Sequence, residues 1–183
     1  MANLLTSLRL LLLVPAAWAF ADPDIMASWA LVLILATAIM TDYFDGIVAR
    51  RRGTASARGQ LFDHLTDFLF VTSCLAGLAY ADAINPWLPA LIVIAFGQYV
   101  LDSWFLYRQK SLRMSFIGRL NGVLYFVPLS ITAGTRLIAD FPRPAPAWLT
   151  SSLYLMIAVI AWVLFASTLL SIVDRALAPR RAS

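Results

Sequence analysis

The 183-residue chain is 61% hydrophobic and only 13% charged, with a mean hydropathy of +0.80. These values exclude an ordinary soluble domain and read as an integral membrane protein. The formal net charge of +4 does not point to nucleic acid, because the cations sort by position along the chain, and the single cysteine, Cys74, excludes a disulfide framework or a thiolate metal site.

Six apolar segments follow one another. Residues 3–20 form the first, about long enough to cross a bilayer. Arg9 and Pro15 within it, and Ala21-Asp22-Pro23 after it, speak against a cleaved signal peptide, so the segment is expected to be retained. An acidic turn, Asp22-Pro23-Asp24, leads to residues 26–49. A linker with Arg50, Arg51, Arg52, Gly53, Ser56 and Arg58 then turns the chain back into residues 59–80. Asp82, Asn85 and Pro86 mark the turn before residues 87–107, and Arg108, Lys110 and Arg113 form a basic loop before residues 116–138. Pro142, Pro144 and Pro146 stiffen the last turn, which is followed by residues 148–173 and a basic tail.

On this reading 12 of the 14 cations, Arg9 among them, fall on one side, and only Arg136 and Arg143 fall opposite. The positive-inside rule then puts both termini and the 50–58 linker in the cytoplasm. Trp87 and Trp148 are placed as interfacial anchors. The expected fold is all-α: one polytopic domain, residues 1–183, with six transmembrane helices, in a bacterial cytoplasmic (inner) membrane.

Residues 42–67 stand out from this background. They read D-x-x-D-G-x-x-A-R, eight residues, then G-x-x-x-D-x-x-x-D, and hold Asp42, Asp45, Asp63 and Asp67, four of the ten acidic residues. A charge inside a membrane helix costs roughly 2.5–3.5 kcal/mol on insertion scales, so such carboxylates mark function or a specific partner. Steps of three and four place Asp42, Asp45 and Ala49 on one helical face, and Gly59, Asp63 and Asp67 on another. Counted from the basic linker at about 1.5 Å per residue, Asp42 is level with Asp67, and Asp45 with Asp63. Like charges ~4 Å apart repel by about 4 kcal/mol at an effective dielectric of about 20. Either some of the four are protonated or metal ions are bound. Oxygen ligands of this kind suit Mg2+ or Mn2+, and a pair of ions would clamp the attacking and leaving oxygens of a phosphoryl group.

The pattern Asp42-x-x-Asp45-Gly46-x-x-Ala49-Arg50, eight residues, Gly59-x-x-x-Asp63-x-x-x-Asp67 resembles the signature of the CDP-alcohol phosphotransferase family at every fixed position. Asn3, Leu4, Leu5, Thr6 and Arg9 resemble an N-terminal stretch often seen in that family. The resemblance implies a six-helix membrane enzyme in which a second alcohol displaces CMP from a CDP-linked alcohol. It implies Asp42, Asp45 and Asp63 as metal ligands for two Mg2+ or Mn2+ ions. Asp67 becomes the base that takes the acceptor proton while touching a metal, and Gly46, Ala49, Arg50 and Gly59 become nucleotide-binding positions. Arg113, Ser115 and Arg119 are candidate acceptor contacts. Gly118-Arg119 approximates the Gly-Lys pair that opens this helix in members using glycerol phosphate, whereas Phe62-Asp63-His64 resembles the choline and ethanolamine branch.

The leading expectation is therefore transfer from CDP-diacylglycerol to a small polar alcohol, with glycerol 3-phosphate the best single choice. The alternative is a CDP-choline or CDP-ethanolamine enzyme acting on diacylglycerol, and a cation or proton carrier is the remote one. His64, one residue from Asp63, is expected to point off the metal face and to tune or support Asp67. Faces containing Gly and Ala would permit a homodimer.

Overall fold

The computed structural model describes residues 2–51, 57–101, 116–141 and 145–177. Its helices are α1 (Ala2–Ala21), α2 (Ser28–Arg51), α3 (Ala57–Tyr80), α4 (Trp87–Leu101), α5 (Phe116–Leu124), α6 (Phe126–Ala139) and α7 (Ala147–Leu177), with a 3-10 turn at Pro23–Ile25. No strand occurs among the described residues. Leu61–Tyr80, Phe116–Ala139 and Ala147–Leu177 are long and apolar enough to cross a membrane, while Thr6–Ala21, Ser28–Phe44 and Trp87–Leu101 are shorter apolar helices.

Side chains are distributed as a lipid solvent demands. On α7, Ile157, Ala161, Leu164, Thr168 and Ser171 recur at steps of four and three and face inward, while Leu155, Val159, Trp162, Val163 and Leu170 are exposed. The large apolar residues lie outside and the small or polar ones mediate helix contacts, which is the arrangement for helices packing in hydrocarbon. Trp87 and Trp148 are exposed near the starts of α4 and α7, where an amphipathic ring suits a membrane interface. Cys74 lies in the apolar core.

Two contacts fix α1, and both matter for the site. A β-carbon on Gly77 would collide with the Ala17 carbonyl oxygen and crowd Ala21 N and Phe20 Cβ. The bare glycine therefore lets α3 approach the α1 backbone closely. At the end of α1, Arg136 Nη1 donates to the Ala19 carbonyl at 2.5 Å and Nη2 to the Phe20 carbonyl at 3.1 Å. A cation on a helix's last carbonyls satisfies acceptors that the helix cannot. That explains one of the two cations on the sparse side; Arg143 lies outside the described residues.

The fifth apolar segment runs as one helical span, Phe116–Ala139, with one irregular turn at Tyr125, between α5 and α6. Pro128 accounts for the irregularity, since it has no N–H for the carbonyl four residues back and its ring crowds that carbonyl. Tyr125 keeps its N–H bond to Asn121 O at 2.9 Å, and its hydroxyl lies 2.7 Å from Thr168 Oγ1 on α7. Thr168 donates its own proton to Leu164 O, so Tyr125 is the donor in that pair.

Candidate active site

Helix α1 packs against both α2 and α3 and sets Arg9 between their acidic stripes. Arg9, fully buried, places Nη1 3.2 Å from Asp42 Oδ1 and Nη2 2.8 Å from Asp63 Oδ1. The same Nη1 is also paired with Asp67 Oδ1. Asp42 and Asp67 thus share one nitrogen, in keeping with the level at which spacing puts them. α1 and α3 run in the same direction: Arg9 meets Asp63 and Asp67 at one end, and Ala17 meets Gly77 further along.

His64 does not turn away from the acids. One ring nitrogen and one carboxylate oxygen each of Asp63 and Asp67 all lie within 4.8 Å of one another. The step of three to Asp67, which puts two residues on one helix face, outweighs the offset from Asp63.

Three of these groups border a cavity of about 390 Å3. Asp42, His64 and Asp67 line it from α2 and α3, and Gly118, Arg119 and Asn121 from α5. Tyr99 on α4 and Thr168, Ser171 and Arg175 on α7 complete the polar lining. The Arg175 guanidinium lies 4.9 Å from the centroid of the Tyr99 ring, a cation–π contact. Phe68 and Phe96 stack at 4.0 Å and line the same space. A polar end and an apolar body therefore meet in one cavity, as a molecule with a charged head and a hydrocarbon tail requires.

A family model for CDP-alcohol phosphatidyltransferase matches residues 1–173. The chain belongs to that family. Among its relatives, cardiolipin synthase (CMP-forming) of Streptomyces coelicolor is 38% identical over 65 residues, 36% of this chain and 30% of that protein. A probable phosphatidylglycerophosphate synthase of Mycobacterium tuberculosis is 37% identical over 68 residues, 37% of this chain and 31% of that protein. The Escherichia coli K12 CDP-diacylglycerol–glycerol-3-phosphate 3-phosphatidyltransferase is 29% identical over 135 residues, 70% of this chain and 73% of the enzyme. The chain thus matches about a third of the length of the first two relatives. No solved structure matches it.

Within this family member the candidate residues divide. Asp42, Asp63 and Asp67 converge, and Arg119 reaches the same cavity. Gly59 lies in the first turn of α3. Asp45, Gly46, Ala49 and Arg50 belong to α2, but their side chains lie outside the described residues, as do Arg113 and Ser115. By position in the sequence alone, two of the cations near the aspartates, Arg9 and Arg175, resemble topology markers. Arg175 resembles any basic tail residue until α7 is seen to carry it inward. Arg9 carried a usable signal, an isolated charge in an apolar segment, which is the same signal that marked the aspartates.

The donor set fits a hard divalent metal. Asp42, Asp63 and Asp67 surround the Arg9 guanidinium, and among the described residues the ligand atoms of Asp63, His64 and Asp67 lie close enough to hold one ion; carboxylate oxygens suit Mg2+ or Mn2+.

Proposed function

We propose that this protein is a metal-dependent phosphotransferase that moves a phosphatidyl group from CDP-diacylglycerol to a small polar alcohol, glycerol 3-phosphate first, releasing CMP. The observation that carries this reading is the meeting, in the lining of one cavity, of the carboxylates of Asp42 and Asp67 and the cations Arg119 and Arg175. The aspartates would hold Mg2+ or Mn2+, which when bound supplies charge to offset the donor's diphosphate. Asp67, on the cavity wall, takes the proton of the acceptor hydroxyl. That oxygen forms a bond to the lipid-linked phosphorus, the bond from this phosphorus to the bridging oxygen breaks, and CMP carries that oxygen away. Arg119 and Arg175 bind the acceptor's own phosphate, which suits guanidinium forks. Apolar side chains such as Phe68 and Phe96 exclude water, which would otherwise compete as the nucleophile.

Support for glycerol 3-phosphate comes from these two cations and from the names of the M. tuberculosis and E. coli relatives. The second reading, a CDP-choline or CDP-ethanolamine donor with diacylglycerol as acceptor, rests on Phe62-Asp63-His64 and on the proximity of His64 to Asp67. In either case six spans with both termini and the 50–58 linker in the cytoplasm put the nucleotide where it is made, in a bacterial inner membrane.

The test is CMP release by purified protein in lipid with Mg2+ and CDP-diacylglycerol, across glycerol 3-phosphate, inositol phosphate, inositol, serine and choline, with Asp67→Asn as blank. Release above blank with glycerol 3-phosphate is expected. Release with choline-type donors alone would establish the second reading, and silence from folded, metal-loaded protein with both donor types would overturn catalysis.

A further inference from the structure

Arg9 is the least explained charge in the molecule. It is fully buried, it sits on a helix that contributes no acid of its own, and its two terminal nitrogens reach three carboxylates on two other helices. We propose that Arg9 is a displaceable counter-ion of the aspartate cluster: it competes with the divalent metal for the carboxylate oxygens and passes to the donor's diphosphate when metal and nucleotide bind together.

This inference rests on the metal-dependent reading of the same site and assigns a residue outside the 42–67 signature to it. A dication held by these aspartates would compete for carboxylate oxygens that the guanidinium now contacts. Two cations in contact at those oxygens repel, so one must yield. The backbone of α1 is not free to retreat, because it is packed against Gly77 and capped by Arg136. Only the Arg9 side chain can move. A buried guanidinium needs a new anion wherever it goes. The diphosphate brought to the same aspartates offers one, and the fork geometry that matches a carboxylate also matches a phosphate. The aspartates would offset the bound metal charge, so Arg9 adds positive charge, together with Arg119 and Arg175 on the same cavity, to attract the incoming anion. Arg9 is thus a positioning residue that couples metal uptake to nucleotide uptake.

Mn2+ binding to the full-length protein, stripped with chelator and read by the paramagnetic resonance signal of free Mn2+, tests this with and without cytidine diphosphate. Arg9→Met is expected to bind Mn2+ roughly tenfold more tightly than the parent without nucleotide, and to gain less than the parent when cytidine diphosphate is added. A group that merely holds the carboxylates in place predicts the opposite sign. Unchanged or weaker Mn2+ binding by Arg9→Met therefore overturns the proposal. Should Arg9→Met fail to fold, Arg9→Lys decides. Its single ammonium cannot fork across three carboxylates, so Mn2+ binding about threefold tighter than the parent is expected, and no gain overturns the proposal. A parent protein that takes up no Mn2+ overturns the counter-ion role and the metal-based function together. The expected Mn2+ pattern without CMP release from any donor–acceptor pair sinks the catalytic reading alone.

Discussion

The two walls of the cavity are built on different physics. On the acidic side, three carboxylates from α2 and α3 surround one guanidinium from α1 and leave an excess of negative charge, and α1 is held close to α3 where Gly77 admits its backbone. The other wall, from α4, α5 and α7, is made of neutral hydrogen bonds and two cations. Ser167 donates to Asn121 Oδ1 at 2.7 Å, and Gln98 Nε2 donates to Ile172 O at 3.2 Å. Charges in a low-dielectric interior must keep their partners or lose several kcal/mol, whereas a neutral pair contributes only about 1 kcal/mol. The first wall therefore resists change, and the second can be retuned to a new acceptor at small cost.

The sharpest break of this contrast is at Asp67. Asp67→Asn keeps the shape and removes both the charge and the proton-accepting power. A fall in kcat of about 10²–10⁴ is expected for loss of a positioned base, with CDP-diacylglycerol still bound. Retained full turnover would remove Asp67 as the base.

The next effect is structural and originates far from the carboxylates. Gly77→Val places a branched side chain against the Ala17 carbonyl, an overpacking that costs typically about 1–3 kcal/mol. A lower melting temperature in detergent is expected, with lost CMP release, because Arg9 rides on the displaced helix. An unchanged melting temperature would mean that α1 is not held there.

On the other wall, Arg119→Gln and Arg175→Gln are each expected to raise KM for glycerol 3-phosphate about tenfold, leaving KM for CDP-diacylglycerol near the parent value. A charge that binds ground state and transition state alike moves KM rather than kcat. If the donor's KM moves instead, the two cations belong to the nucleotide and the acceptor lies elsewhere.

The contrast between the walls also explains what could be read from the chain alone. Membrane carboxylates are expensive, so Asp42, Asp63 and Asp67 announce themselves, and helical steps of three and four give their common level. Segments of apolar residues give the helices, since a bilayer enforces length and polarity together. Arg9 was legible as an isolated charge within an apolar segment, but which acids it meets depends on how α1 packs between α2 and α3. Arg175 was hidden because a cation near a membrane helix end has a cheaper explanation in topology, and its role depends on which face of α7 turns inward. The place of His64 beside Asp67 was legible in their step of three, whereas its closeness to Asp63 was not.

The smallest effect tests the hydrogen-bonded wall at its most buried pair. Tyr125 sits at the irregular turn between α5 and α6 and donates to Thr168 Oγ1, which itself donates to Leu164 O. Tyr125→Phe removes the donor and little volume, and Thr168 keeps its bond to the α7 backbone, so no donor is orphaned. A loss of about 1 kcal/mol is expected, seen as a small fall in melting temperature. Turnover with glycerol 3-phosphate should change less than tenfold, since α5 would keep the Tyr125 N–H bond to Asn121 O and Arg119 with it. A loss of turnover as large as that of Asp67→Asn would mean that the hydroxyl touches substrate. The α4–α7 wall would then have to be counted with the chemistry and not with the choice of acceptor.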